Sequence, residues 1–312
     1  MALTYSQAQA VSTNFIDPTL VQTCFDKSPT WVRLKQQNKV AKRGGNQIQK
    51  PFRYKPLGTS GAVNPTDQVA FQGIDTRSAL VWDWKYYRAN SIISWDERVK
   101  NTGEPQIVSL IKDKAKEMQE DLMDSFATDL YGAQTALGLV GLRTMVGSGT
   151  YGGVAIADAS TWMGWDDTTT TQLALYGSNS LSFNQNRATF GTSRPTLMVT
   201  TRNLYSKFMS LFEGQKFYSD NRLAEAGFDN IVFMGAPVVG DFYCTASYWY
   251  GLNIDDMEFV VHPDFDFKLT DWFGLEQAGH PESLARVISF AGNLTNTQRR
   301  AAFVYQTLNY TL

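Results

Sequence analysis

Residues 104–131 read EPQIVSLIKDKAKEMQEDLMDSFATDLY and carry the clearest periodic pattern of the chain. Apolar side chains recur there at steps of three or four, which places them on one face of a helix. They are Ile107, Ile111, Ala115, Met118, Leu122, Phe126 and Leu130. Thr102 can cap the N-terminus, Pro105 suits the first turn, and Gly132 favours an end. The pattern predicts one amphipathic helix over residues 104–132, about 40 Å long.

A strand pattern precedes this helix at residues 80–87. Leu80, Trp82, Trp84 and Tyr86 fall on one face, and Val81, Asp83, Lys85 and Tyr87 fall on the other. Such alternation predicts a strand, which Ile92, Ile93 and Trp95 are expected to extend. Residues 48–54 predict its partner, and residues 56–78 form a tip longer than compact domains usually carry. Two strands cannot bury both faces alone, so we expect a projecting hairpin that lies on another subunit.

The first 55 residues look irregular, and their second half is basic. No Asp or Glu occurs between Lys27 and Lys55. The bases of this segment are Lys27, Arg33, Lys35, Lys39, Lys42, Arg43, Lys50, Arg53 and Lys55. Two interpretations stay open: a solvated arm, or an arm that meets phosphate or an acidic neighbouring subunit.

The rest of the chain mixes short strands and helices. Strands are predicted at residues 195–199, 231–234, 237–239, 242–252, 257–262, 285–290 and 302–308, and a helix after Thr200 or Thr201. No repeat of fixed period occurs. The fold class predicted from these elements is α+β.

Composition excludes several classes of protein. The chain has 312 residues, 43% of them hydrophobic, and a formal net charge of -2. A globular core is therefore expected, without the global positive field that would hold nucleic acid. The first twenty residues lack a basic segment followed by an apolar run, and no stretch reaches the ~18 apolar residues of a membrane span. We expect neither a secretion signal nor a membrane partner.

Histidine and cysteine are scarce. The chain contains only His262, His280, Cys24 and Cys244, which argues against zinc sites and disulfide frameworks. A Cys244–His262 dyad lacks a supporting pattern. His262 can also be grouped with nearby aspartates, but the alternation of Asp and Phe over residues 264–267 favours a half-buried strand. No cofactor or metal is predicted.

A glycine motif is the strongest candidate for chemistry. Residues 147–152, Gly-Ser-Gly-Thr-Tyr-Gly, match G-x-G-x-x-G after an apolar run at 142–146 that could be a strand. Asp166 and Asp167 lie near the distance of a ribose-binding acid. No long amphipathic helix follows to bind a pyrophosphate, so a glycine-rich turn is favoured. A nucleotide-binding oxidoreductase that uses Gly147 to Gly152 stays as the alternative of another class.

Several short strings give the chain a family likeness. They are Ala226-Gly227-Phe228-Asp229-Asn230-Ile231, then Phe233 to Asp241 (FMGAPVVGD), Thr150 to Val154 (TYGGV) followed by Trp162, Leu252-Asn253, and Gly292-Asn293-Leu294 with Arg299-Arg300. With the basic arm, the long-tipped hairpin and the long helix in this order, nearly the whole chain resembles the HK97-like family of tailed-bacteriophage major capsid proteins.

The resemblance implies a division of the chain. An N-terminal arm would cover residues 1–46, and an extended β-hairpin loop would cover 47–96. A peripheral domain would cover 97–185 and contain the long spine helix at 104–132. An axial domain would cover 186–260, and residues 261–312 would return to the peripheral and axial core.

The resemblance also implies a function and partners. The chain would be a structural protein without enzymatic activity, which self-assembles into pentamers and hexamers of an icosahedral shell around phage double-stranded DNA. A separate scaffolding protein, a portal protein and, as a further candidate, a decoration protein would be its partners. Assembly in the host bacterial cytoplasm would lead to the virion. An encapsulin-like compartment shell is the alternative with the same fold.

Candidate site residues follow from these roles. Trp31, Trp82, Trp84 and Tyr86 are predicted to contact neighbouring subunits, because buried aromatic residues dominate interface energies. Lys35, Lys39, Lys42 and Arg43 are predicted to face DNA. Residues 56–78 contain no lysine, so we predict no covalent cross-link between this loop and a neighbour's asparagine.

Overall fold

The structure is a computed structural model with full side chains. It describes residues 28–37, 39–55, 61–62, 64, 75–100, 104–132, 135–155, 162–211, 230–275 and 283–309, without the side chains at 98, 104–109 and 112. The α-helices of this part are α1 (Pro29–Gln36), α2 (Trp95–Lys100), α3 (Glu104–Tyr131), α4 (Leu142–Val146), α5 (Leu181–Ala188) and α6 (Arg202–Ser210).

The strands form three sheets. They are β1 (Val40–Lys42), β2 (Ile48–Arg53), β3 (Arg77–Trp82), β4 (Lys85–Ile93), β5 (Trp165–Asp167), β6 (Leu197–Thr200), β7 (Asn230–Phe233), β8 (Ala236–Gly240), β9 (Trp249–Leu252), β10 (Met257–Val261), β11 (Lys268–Leu269), β12 (Phe273–Gly274), β13 (Leu284–Asn296) and β14 (Phe303–Tyr305). Helices and strands alternate irregularly, so the α+β class is confirmed.

The long helix α3 confirms the strongest prediction from the sequence. It spans 28 residues and ends at Tyr131, where the N–H of Gly132 still bonds to the oxygen of Thr128. Its predicted apolar stripe is buried from Ile111 to Leu130. Ile107, Thr102 and the side chain of Pro105 lie outside the described residues.

The first sheet is built around the 13-residue strand β13. Gly292 of this strand pairs with Lys85 of β4 on one side and with Val261 of β10 on the other. Strands β11 and β12 pair with β13 along the same edge as β10. Strand β1 pairs with β10 in parallel. Helix α3 packs against β4, with the rings of Tyr87 and Phe126 4.5 Å apart.

The second sheet has the order β5-β14-β9-β6-β8-β7. Helices α5 and α6 cover one of its faces, where Leu204 and Phe208 pack near Met198 and Trp249 in a separate apolar cluster. Its other face joins the main core of the molecule. The two-residue turn between β7 and β8 has positive φ at both Met234 and Gly235, the geometry of the turns that hairpins favour.

The predicted hairpin forms a third, two-stranded sheet. Strands β2 and β3 pair from Ile48 opposite Trp82 to Arg53 opposite Arg77. Most of its predicted tip lies outside the described residues. The strand predicted over residues 80–87 is corrected: β3 ends at Trp82 and β4 begins at Lys85, because the chain leaves the hairpin there and enters the first sheet.

Other local predictions also need correction. Residues 142–146 form helix α4 and not a strand, and residues 263–265 form a 3₁₀ turn in place of the predicted strand. Trp95 does not extend β4 but begins α2. Ser94 and Glu97 bond reciprocally through side chain and main chain, which makes a capping box that starts this helix.

The strands of each sheet do not fall within the domain ranges predicted from the sequence. Trp165–Asp167 and Phe303–Tyr305 belong to the second sheet, although they lie outside the predicted axial range of 186–260. Met257–Val261 lies inside that range but pairs with β13 of the first sheet. The second sheet therefore takes strands from both sides of the 186–260 range, and the domain boundaries themselves stay predictions.

Candidate functional site

The predicted subunit contacts divide into three buried residues and one exposed residue. Trp31, Trp82 and Trp84 are 2%, 4% and 8% exposed, whereas Tyr86 is 69% exposed. Trp31 packs on Phe259 with ring centroids 4.7 Å apart. The chain's own core already covers the three tryptophans, so only Tyr86 offers a large area to a neighbour.

The predicted DNA-facing bases contact acidic and carbonyl groups of their own chain. Lys39 donates to the main-chain oxygen of Asp255 over 2.9 Å, and Lys42 lies 2.6 Å from a carboxylate oxygen of Asp266. Arg43 pairs with Glu258 at 3.2 Å, and Lys35 is exposed at the end of α1. These contacts lie within one chain, so both interpretations of the basic arm, solvated or meeting phosphate or an acidic neighbouring subunit, stay open.

Lys50, like Arg33, is a basic residue of this segment whose side chain the structure buries. Its ammonium group bonds to Glu258 of β10 and donates to the Thr295 hydroxyl over 2.8 Å. Burial lowers the pKa of Lys50, although the bond and the charge of Glu258 oppose this. Burial would raise the pKa of Glu258, but the bonds and charges of Lys50 and Arg43 outweigh it and lower that pKa. The Lys50 ammonium group and the Glu258 carboxylate thus form a salt bridge between β2 and β10.

The glycine motif wraps around a buried arginine. Arg299 donates to the main-chain oxygens of Met145 over 2.8 Å and Gly149 over 3.0 Å, and it also bonds to the oxygen of Gly147. Its guanidinium lies over the rings of Tyr151 and Trp162, 5.0 and 5.4 Å from their centroids. Burial lowers the pKa of Arg299 to about 10, so it stays charged at neutral pH.

This geometry is unsuited to a dinucleotide. A phosphate cradle needs main-chain N–H groups that converge on an anion, whereas the carbonyl oxygens of Gly147 and Gly149 point at a cation. Asp166 instead accepts a bond from Gln306 over 2.5 Å, and burial raises the pKa of Asp166. Asp167 accepts bonds from the Thr169 and Thr170 main chain. The glycine-rich turn interpretation is therefore favoured over the oxidoreductase.

An open cavity of about 540 Å³ lies beside this turn. Arg143, Ser148, Asp166 and Gln306 line it together with main chain of the glycine turn. The Gln306 amide is engaged by Asp166 and by the Tyr248 hydroxyl, which donates to it over 3.2 Å. Two of the polar side chains that line this cavity, Asp166 and Gln306, are therefore already bonded to each other.

A buried carboxylate joins three parts of the molecule. Asp241, at the end of β8, accepts bonds from the Ser28 hydroxyl over 2.6 Å and the Tyr131 hydroxyl over 2.8 Å. The Thr30 hydroxyl lies 3.0 Å from that of Tyr131. The start of α1, the end of α3 and the second sheet therefore meet at one carboxylate. Sequence reasoning included Asp241 in a family motif but assigned it no role.

The described part of the chain has no group of side chains arranged for metal or thiol chemistry. No group of three or more His, Cys, Asp or Glu side chains there could hold a metal ion. Burial raises the pKa of the Cys244 thiol, and His262 accepts a bond from the Asp264 N–H at 3.2 Å. Cys24 and His280 lie outside the described residues. In that same part, no helix combines the length and the apolar character that crossing a membrane requires.

Comparisons with known proteins identify the fold. No family model matches the sequence, and no curated protein matches it significantly. The capsid asymmetric unit of cyanophage A-1(L) matches with a TM-score of 0.65 at 19% identity, over 87% of this chain and 90% of that chain. The capsid of an empty GTA particle matches with a TM-score of 0.59 at 11% identity, over 90% and 91%.

A compartment protein matches as well. The holo-SrpI encapsulin complex from Synechococcus elongatus PCC 7942 matches with a TM-score of 0.59 at 9% identity, over 92% of this chain and 90% of that chain. Likenesses at such identities define the fold and not the individual function. The chain therefore has the HK97-like capsid fold, as the resemblance predicted, with the hairpin followed by the long helix as expected.

Proposed function

We propose that this chain is a major capsid protein of a tailed bacteriophage, which self-assembles into pentamers and hexamers that form an icosahedral shell around double-stranded DNA. The observation that carries the proposal is the likeness to capsid subunits over about nine-tenths of both chains. On this proposal the protein is structural and not an enzyme. The inward carbonyls of the glycine turn support that view, because they remove the best candidate for a cofactor site.

The hairpin supports assembly on physical grounds. Its strands pair only with each other, and Gln49, Pro51 and Arg53 expose one face to solvent. A two-stranded sheet is marginal in water unless it packs on something larger. In a ring of identical subunits, each projecting element meets a receptor surface on the next subunit. The hairpin and the exposed Tyr86 are the proposed donors of such contacts.

The remaining partners belong to the same proposal. Packaged DNA is held without sequence preference, and Lys35, Lys39, Lys42 and Arg43 remain the proposed DNA-facing residues, although Lys39, Lys42 and Arg43 bond to groups of their own chain. A scaffolding protein, a portal protein and a decoration protein are further expected partners, and host cytoplasm is the expected place of assembly. No covalent cross-link is expected in the shell.

An encapsulin-like compartment is the second candidate. Its support is the likeness to the holo-SrpI encapsulin, which shares the fold at the same TM-score as the GTA capsid. The two candidates differ in what the shell encloses, since a capsid holds DNA and a compartment holds protein.

Expression of the full chain, alone and with a candidate scaffolding protein, tests the proposal. Sedimentation and negative-stain microscopy should reveal closed shells, and particles from infected cells should contain DNA. Closed shells filled with a cargo protein would favour the compartment. A chain that stays monomeric at high concentration under both conditions would overturn the proposal.

A further inference from the structure

In the described part of the chain, the hairpin strands β2 and β3 share no strand pairing with either large sheet. The Val81 N–H donates to the oxygen of Gly152 over 3.0 Å, and Leu80 and Trp82 pack beside that turn. Apolar contacts of this kind are non-directional, so the direction of the hairpin needs additional determinants.

One determinant is the buried ion pair described above. Lys50 lies on β2, whereas Glu258 and Thr295 lie on β10 and β13 of the first sheet. The Thr295 hydroxyl accepts from Lys50 and donates to the Glu258 main-chain oxygen over 2.9 Å. Hydrogen bonds of charged groups in a buried setting depend strongly on geometry. The pair therefore fixes β2 against the first sheet at one point.

A second determinant lies where the chain leaves the hairpin. The fully buried Asn293 of β13 donates from its amide nitrogen to the oxygen of Asp83 over 2.9 Å. Its amide oxygen accepts from the Val140 N–H over 3.1 Å. Asp83 stands between β3 and β4, so this amide holds the bend at which the hairpin diverges from the first sheet.

We propose that Lys50 and Asn293 are positioning residues that set the direction of the hairpin relative to the first sheet, and thereby the geometry of subunit contacts. The second part of this inference rests on the proposed function. One anchor acts on β2 and the other on the β3–β4 bend. Two separate anchors restrict both tilt and rotation of the hairpin, which either one alone would leave free.

Distance measurement between spin labels tests the first part directly. Labels at Ala79→Cys on β3 and Ser125→Cys on α3 report the hairpin direction, in a full chain that carries Cys24→Ser and Cys244→Ala. Labelled chains are diluted with unlabelled ones, so that distances between subunits do not contribute. We expect a single narrow maximum in this parent protein.

Lys50→Met removes the charge but keeps an unbranched stem, and Glu258 keeps Arg43 as a partner. We expect this variant to lose the single maximum and to give a broad distance distribution. Glu258→Gln, which keeps the side-chain shape, should broaden it in the same direction. Gln49→Met on the exposed face of β2 is the matched control and should leave the distribution unchanged. An unchanged narrow maximum in both Lys50→Met and Glu258→Gln would overturn the inference.

Particle geometry tests the second part. If the parent chain forms shells, Lys50→Met should yield shells of mixed diameter or open sheets, while Gln49→Met yields the parent diameter. Uniform shells of parent diameter from Lys50→Met would overturn this part. If the parent chain forms no shells, the proposed function fails, whereas the label distances still decide the role of the Lys50 anchor.

Discussion

The Arg299 guanidinium donates to the main-chain oxygen of Met145 over 2.8 Å, across 154 positions of the chain. Arg299 lies between β13 of the first sheet and β14 of the second, and Met145 lies in α4 after the long helix. The buried cation thereby ties the crossing between the two sheets to the end of α4 and the glycine turn, where carbonyl oxygens lack helical partners.

Arg299→Lys should destabilise the unassembled subunit by about 3 kcal/mol, because an ammonium group cannot reach all the carbonyls that the guanidinium serves. The neighbouring Arg300 stacks on Phe190 at 4.3 Å and is half-buried, so Arg300→Lys should cost less than about 1 kcal/mol. Urea denaturation followed by tryptophan fluorescence measures both. Equal losses for the two variants would contradict the assigned role of Arg299.

Asp241→Asn should loosen the attachment of α1. The carboxylate accepts from Ser28 and Tyr131, and hydrogen bonds to a charged group are worth about 1.5–3 kcal/mol each. We expect a loss of about 2 kcal/mol in stability and faster tryptic cleavage within Pro29–Gln36. Asp121→Asn on the exposed face of the long helix is the control, expected within about 0.5 kcal/mol of the parent. Unchanged cleavage in Asp241→Asn would count against the junction.

The Glu258 carboxylate should make the stability of the folded chain sensitive to acid. Its pKa in the folded chain lies below the ordinary value of 4.5, because Lys50 and Arg43 stabilise the carboxylate. The resulting stabilisation is complete above the unfolded pKa and is lost as the pH falls through the folded pKa. The stability difference between the parent and Glu258→Gln should therefore hold from pH 7 to about pH 5 and shrink below pH 4.5. A difference that grows on acidification would contradict this sign.

Substitution of two neighbouring glycines distinguishes the cost of backbone strain from the cost of a side-chain clash. Gly152 and Gly153 both have positive φ, but a Cβ on Gly152 would lie 2.9 Å from Cδ2 of Leu80, whereas a Cβ on Gly153 meets nothing within 4 Å. Gly153→Ala should cost about 1 kcal/mol from the left-handed conformation alone. Gly152→Ala adds a clash with the hairpin and should cost at least about 2 kcal/mol. Thermal unfolding compares them, and a smaller loss at Gly152 would disprove the close approach.

Local pattern was enough to predict the long helix and the pairing partner of the hairpin. The stripe from Ile111 to Leu130 and the stop at Gly132 depend on neighbours in sequence, and the structure keeps both. The break at Asp83 could not be predicted, since period-two alternation continues unchanged when a chain passes from one sheet into another. The buried face of Trp82 and Trp84 was predicted, but sequence does not say whether the same chain or a neighbour covers it.

The polar junctions are formed by residues far apart in the chain, and only Lys50 had a local sign in the sequence. Arg299 beside Arg300 resembles an ordinary surface pair, and only the fold brings it to the carbonyls after α4. Lys50 counted as one more charge of a basic arm, although its alternation with Ile48 and Phe52 placed it on the buried face of β2. That alternation was the one available sign that this lysine needed a buried partner.

Cryo-electron microscopy of particles assembled from the full chain tests the central claim most directly. The account predicts an icosahedral shell of pentamers and hexamers, in which the β2–β3 hairpin of each subunit lies on the next subunit and Tyr86 is covered at a contact. Particles without five-fold and six-fold clusters, or a shell in which the hairpin contacts only its own subunit, would contradict it.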